Sequence, residues 1–208
     1  PLDFPLHGAI PDMIAWLQEA GYRVQSTWAM GSTLEELCGA GAAWVNLVIS
    51  STGLPAAQAL QEKFGTPYVV GTPAGQAFGR VLLEHLACSA HTGRSSVAFA
   101  DCEPDGVGII LGEAVTARSL AAAIGLERGA APQVLCPLEA PPGLLSGGDA
   151  AMRAECDLEQ RLRTAAWVAA DPLYRPIVPA QTPFYSLPHP AFSGRLWRGQ
   201  MVNLVKHL

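Results

Sequence analysis

Residues Trp44 to Gly75 read WVNLVISSTGLPAAQALQEKFGTPYVVGTPAG, and their pattern decides the fold. Trp44 to Ile49 is a run of apolar and β-branched residues, with Gly41 before it and Ser50, Ser51 and Gly53 after it. A continuous apolar run bounded by small residues is the signature of a strand buried on both faces of a parallel sheet. A helix is predicted from Pro55, which suits a first turn because its missing N–H would have no partner there. Ala56, Leu60 and Phe64 share one face of that helix, and Gly65 is placed to end it. Thr66 to Val70 predicts a second short strand, and Gly71, Pro73 and Gly75 then make a tight loop. The stretch is a β–α–β unit with small-residue loops at two strand C-termini. Ligands of open α/β sheets sit just outside such ends.

Upstream, Pro1 to His7 reads as a loop that would follow a strand. Ile10, Met13, Ile14 and Leu17 fall at i, i+3, i+4 and i+7, one face of a helix that Pro11 can begin and Gly21 can end. Tyr22 to Trp28 predicts a strand. Ser32 and Glu35 have capping-box spacing, which predicts a short helix from Thr33 to Cys38. Downstream, Gln76 to Ala90 predicts a helix with Phe78, Leu82, His85 and Leu86 on one side. A lone His among apolar positions reads as structural.

His91 to Arg94 breaks the pattern and marks a boundary. Beyond it the strand–helix alternation resumes. Strands are predicted at Ser96–Ala100, Val107–Leu111, Gln133–Leu138 and Ala166–Ala170, and helices at Ala114–Arg128 and Ala151–Arg163. Asp101–Gly106 reads as a turn and Ala140–Gly148 as a breaker-rich loop. Such alternation predicts two α/β domains with parallel sheets, residues 1–92 and 93–171. The remainder, 172–208, has no Asp or Glu, carries Arg175, Arg195, Arg198 and Lys206, and is rich in Pro. It is expected to cross back over the domains and to face an anion.

The chain has 208 residues and a net charge of −5, which argues against a general nucleic-acid surface. No apolar run is long enough to span a membrane. Cys38, Cys88, Cys102, Cys136 and Cys156 are odd in number and none stand in C-x-x-C spacing, which disfavours a disulfide framework and fits the reducing cytoplasm. Buried, inert thiols are the plainer reading of these cysteines. There is no Walker A, G-x-S-x-G, H-E-x-x-H or G-x-G-x-x-G. A Ser-His-Asp arrangement using His189 and Asp171 would rest on residue types alone.

Several stretches together carry a resemblance. They are Asn46-Leu47-Val48, Glu62-Lys63-Phe64-Gly65-Thr66-Pro67-Tyr68, Gly112-Glu113-Ala114-Val115, Ala170-Asp171-Pro172-Leu173-Tyr174 and Leu187 to Gly194. The chain resembles the nitrogenase component 1-type oxidoreductase superfamily. That superfamily holds the nitrogenase molybdenum–iron subunits, cofactor-assembly scaffolds, dark-operative protochlorophyllide reductase and a nickel-tetrapyrrole reductase. The resemblance implies the second and third Rossmann-like three-layer domains of a subunit, without the N-terminal domain whose Cys residues hold an iron–sulfur cluster. It therefore implies no cofactor within this fragment and an iron–sulfur cluster in the full-length protein.

Two positions test the carry-over. The family's cluster-ligating Cys after the Asn-Leu-Val strand corresponds to Ser50, a poor replacement for a thiolate on iron. The family's second ligand, a His before a Ser-Gly pair, corresponds to His189 before Ser193-Gly194, with the spacing one residue shorter. The expected pocket is lined by Ser50, Ser51, Gly53, Gly71, Pro73, His189 and Ser193, with Arg195 pairing with a ligand carboxylate. His189 is the expected proton donor, because imidazole titrates near neutrality.

The function implied is reduction of a small, tetrapyrrole-like molecule, with a homologous component 1-type subunit and an ATP-driven iron–sulfur reductase as partners. The alternative is a non-catalytic scaffold for metallocluster assembly, and a third reading is a stand-alone binding module.

Overall fold

The computed structural model describes residues 9–100, 102–104 and 107–207, with 206 and 207 described by backbone alone. The expected loop Pro1–His7 lies outside these residues, as do Asp101, Asp105 and Gly106 of the expected turn.

The first unit runs α1 (Ala9–Glu19), α2 (Leu34–Cys38), β1 (Asn46–Val48), α3 (Leu54–Phe64), β2 (Tyr68–Val70), α4 (Gln76–Thr92) and β3 (Ser96–Val97). The second runs β4 (Gly108–Leu111), α5 (Ala114–Arg128), β5 (Gln133–Cys136), β6 (Ala150–Ala151), α6 (Glu155–Leu162), β7 (Trp167–Ala170), β8 (Phe184–Ser186) and α7 (Pro190–Ser193). One sheet has the order β1-β2-β3 and the other β6-β5-β4-β7-β8, and every pairing is parallel.

The second sheet shows why its strands are apolar throughout. Ile109 and Leu111 of β4 point to a core shared with Leu158 and Leu162 of α6. Ile110, between them, points to Ala117 and Ala121 of α5. Helices therefore cover both faces, the three-layer α/β arrangement, and both sides of each central strand must be apolar. In the first unit, Val69 and Val70 pack with Phe78 and Leu82 of α4, and this core continues into Ala122 and Ala123 of α5. The C-terminal segment does cross back. Val205 packs against Ala9 and Met13 of α1, and Asn203 Nδ2 donates to Asp12 Oδ2 at 2.6 Å.

Expectations differ from the structure in six places. Strand β3, expected beyond the boundary at residue 92, pairs with β2 in the first sheet. Tyr22–Trp28 is extended but forms no strand, because among the described residues β1 pairs with β2 alone and no strand lies beside this segment. The capping box uses Thr33 and Glu36, one residue later than expected: Glu36 N donates to Thr33 Oγ1, and Thr33 N to Glu36 Oε2. Helix α3 buries Leu54 and Ala57 rather than the Ala56–Leu60–Phe64 stripe. Phe64 is half exposed, with its ring lying where a side chain on Gly41 would be. Helix α6 starts at Glu155, not Ala151, because Ala150 and Ala151 pair with Leu135 and Cys136. Finally, the C-terminal segment contributes β8, an edge strand on β7.

Candidate functional site

The second sheet is doubly wound about β4, its first strand. The chain moves outward from β4 to β5 and β6, then returns to β7 on the other side. The crevice at such a reversal, beyond the strand C-termini, is where ligands of this fold class bind. Here it lies at the ends of β4 and β7, which pair as Leu111↔Ala170. The next residues are Gly112-Glu113 and Asp171-Pro172.

Both acids are buried, at 1% and 0% exposure, so every lone pair matters to their cost. Glu113 caps α5 by accepting from Val115 N at 3.1 Å and Thr116 N at 2.9 Å. Its Oε1 also accepts from Ser51 N of the first unit at 2.9 Å. One carboxylate therefore ties the loop after β1 to the start of α5. A second tie lies beside it: Thr72 N donates to Ser119 Oγ at 2.9 Å, and Thr72 Oγ1 donates to Ile49 O at 2.8 Å.

Asp171 does the equivalent for the C-terminal segment. Its Oδ1 accepts from Leu173 N at 2.9 Å. Its Oδ2 accepts from His189 N at 2.8 Å and from Ser193 Oγ at 2.6 Å. Both ends of the short helix α7 are thus held to the end of β7. The His189 ring is buried, lies tilted beside Phe192 with ring centres 5.5 Å apart, and accepts from Ala191 N through Nδ1 at 3.2 Å. With Nδ1 as acceptor, the neutral ring carries its proton on Nε2. A Ser-His-Asp relay is not formed, since Asp171 meets the Ser193 hydroxyl and the His189 main chain rather than the imidazole.

Other groups respond to this acidic edge. Burial pushes the Cys136 thiol, at the end of β5, up to about 11, and the charge of Glu113 adds to the rise. The Tyr174 phenol is raised by burial first and by the charge of Asp171 second.

The sequence-predicted residues fall into separate groups. Ser50 and Ser51 are buried, and Ser50 Oγ lies 2.9 Å from Thr52 Oγ1. Gly53 precedes α3. Gly71 N donates to Val48 O at 3.0 Å, and a side chain at Gly71 would meet Leu82 at 2.9 Å, so this glycine serves close packing of α4. Pro73 is buried in the same loop. The N–H groups of Ser51, Gly71 and Thr72 are therefore already engaged within the protein. His189 and Ser193 come together on Asp171. Arg195 is exposed just after α7. Arg175 binds the carbonyls of Val178, Pro179 and Ala180 and lies over Phe184, rather than facing the loops after Ile49 and Val70.

Sequence reasoning missed Glu113 and Asp171 as anchors. Each stands directly after a buried strand and before a helical turn, where an acid caps free N–H groups. That signal was legible.

Residues 3–97 match the family described as nitrogenase component 1 type oxidoreductase. This part of the chain is similar to that family. The match ends at Val97, the last residue of β3, and so takes in the whole three-stranded unit from α1 onward. No curated protein and no solved structure matches the chain.

An iron–sulfur cluster is the cofactor expected from the resemblance. Among the described residues, no three His, Cys, Asp or Glu side chains gather where they would hold a metal ion. Cys38, Cys88 and Cys156 are exposed, Cys102 is half-buried and Cys136 is buried near pKa 11. Cluster ligation needs converging thiolates, so this donor set does not fit one. Among the described residues, no helix is long and apolar enough to cross a membrane.

Proposed function

We propose that this chain is part of a nitrogenase component 1-like oxidoreductase subunit that reduces a small, conjugated, anionic molecule of tetrapyrrole-like class. Electrons come from an ATP-driven iron–sulfur reductase, and a homologous component 1-type subunit completes the assembly in the cytoplasm. The cluster belongs to a part of the subunit outside these residues.

The observation that carries this reading is the convergence at one sheet edge: His189 and Ser193 are held on Asp171 beside β4, while the loop after β1 is held on Glu113. Ser50, Ser51, Gly53, Gly71, Pro73 and Ser193 shape the walls of the substrate site. His189, oriented by Asp171 through its main-chain N–H, supplies a proton from Nε2. Arg195, exposed beside α7, pairs with a substrate carboxylate.

The test uses the full-length subunit with its homologous partner and the reductase. His189→Gln should lower turnover by about 10²–10⁴-fold, the usual worth of a general acid, with an unchanged thermal melt. Arg195→Ala should weaken substrate binding by roughly tenfold or more. Unchanged turnover in His189→Gln overturns the role of that residue. A wild-type assembly that turns nothing over, but passes a cluster to an acceptor protein, overturns the enzyme in favour of an assembly scaffold.

A further inference from the structure

A groove of about 610 Å³ opens in the first unit and reaches Ser50 and Gly53 beyond the end of β1. It is lined on one side by the extended segment Tyr22–Trp28 and on another by Val45–Ile49, with Leu17 of α1 and Leu60 of α3 among its apolar walls. Trp44, at its margin, is 83% exposed.

One side of β1 is bonded to β2, and the other side is bonded to no strand among the described residues. Asn46 N donates to Pro67 O, and Val48 O accepts from Gly71 N, so the even-numbered residues face β2. Strand backbones alternate, so Leu47 directs its N–H and C=O to the opposite side, where β1 has no partner strand among the described residues. On the same wall, Asn46 Nδ2 is shielded from solvent and has no hydrogen-bond partner. An apolar floor, a free parallel edge and an orphan amide donor together describe a slot for a β-strand rather than for a folded surface.

Topology says which strand. In the second sheet the first strand, β4, is central, and its successors lie on either side of it. In the first unit, Tyr22–Trp28 and β1 follow α1 in turn and line the two sides of one groove. A strand feeding α1 by a right-handed crossover would lie between them. This also accounts for a segment with a strand's sequence that is extended yet unpaired: no neighbouring strand lies among the described residues.

We infer that this groove receives the polypeptide that leads into α1 in the longer subunit, as an extended segment of about five apolar, β-branched residues running parallel to β1. The inference rests on the longer-subunit part of the proposed function. Its readouts involve no electron transfer, so either can fail without the other.

The test compares the 208-residue chain with the chain carrying its natural upstream residues. Amide hydrogen exchange is read at Leu47, and the apolar dye 1-anilinonaphthalene-8-sulfonate probes the groove. In the extended chain, Leu47 should exchange at least about 100-fold more slowly and dye binding should fall at least about tenfold. Proline placed in the middle of the upstream segment should reverse both changes, because it cannot donate to the ladder. Equal Leu47 exchange in the two chains overturns the inference, as does dye binding that the extension leaves intact. A gene that begins at this point, or protection of Leu47 that appears only when the homologous partner subunit is added, overturns it as well; the latter assigns the groove to that partner.

Discussion

Glu113 offers the sharpest test of how the two units are joined. Its carboxylate accepts three backbone N–H groups, from Ser51, Val115 and Thr116, and is 1% exposed. Glu113→Ala removes all three acceptors at once. A buried donor left unpaired costs about 1–3 kcal/mol, and loss of a helix cap about 0.5–2 kcal/mol. Two of the three donors lie in the first turn of α5, where water entering the space vacated by the side chain recovers part of the loss. The expected total is ~3–6 kcal/mol, a large share of the ~5–15 kcal/mol that holds a domain folded. Glu113→Gln keeps the shape. With its carbonyl at the Oε1 position it still accepts from Ser51 and Val115, but its NH₂ then faces the Thr116 N–H. Its expected loss is ~1–3 kcal/mol. Urea unfolding measures both, with a thermal melt as a second reading. At this chain length, ~3–6 kcal/mol lowers the melting temperature by roughly 6–24 °C. Glu159→Gln is the control. Its pair with Arg163 at 2.6 Å is exposed on both sides, so the change should stay below about 1 kcal/mol. Hydrogen exchange at Ser51 should accelerate in Glu113→Ala. A loss below about 1 kcal/mol for that variant would refute the reasoning, since the three buried donors would then have been satisfied some other way.

Cys136 gives a pH dependence of definite sign. Its folded value near 11 lies above its ordinary 9.0, so above pH 9 the unfolded chain gives up a proton that the folded chain keeps. Stability should fall between about pH 9 and 11, by up to about 2–3 kcal/mol, and Cys136→Ala should flatten that part of the curve. In the same protein at pH 8, alkylation followed by mass spectrometry should mark the exposed Cys38, Cys88 and Cys156 well before Cys136. Gly108→Ala places a methyl into the Trp167 ring and should destabilise by ~1–3 kcal/mol in urea unfolding. Gly147→Ala, with nothing near its added methyl, should stay within about 0.5 kcal/mol. Ser50→Ala in the full-length protein should leave the iron content unchanged, because a neutral hydroxyl is a poor ligand for iron; a clear loss on elemental analysis would restore that position as a ligand.

The sequence by itself determined the α/β class and the parallel sheets. Runs such as Val107–Leu111 and Ala166–Ala170 are apolar at every position, and only a strand covered on both faces requires that. It also determined helix ends set by local backbone chemistry, such as Gly65 and Gly129, which adopt φ of 73° and 76°. Of the candidate site, His189 and Ser193 were legible as neighbours because they are close in sequence and flank Pro190.

Only the tertiary structure decided what holds them. Asp171 reaches Ser193 across 22 residues, and Glu113 reaches Ser51 across 62. Such partners depend on strand order and register, which no local pattern encodes. The same holds for β8 and for Tyr22–Trp28. Phe184–Ser186 is too short and proline-flanked to read as a strand, yet it becomes one because the edge of β7 is open to it. Tyr22–Trp28 has a strand's composition, yet it is not one here because no strand among the described residues meets its backbone. A strand is completed by the hydrogen bonds of another strand, and a sequence window contains only one side of that pairing.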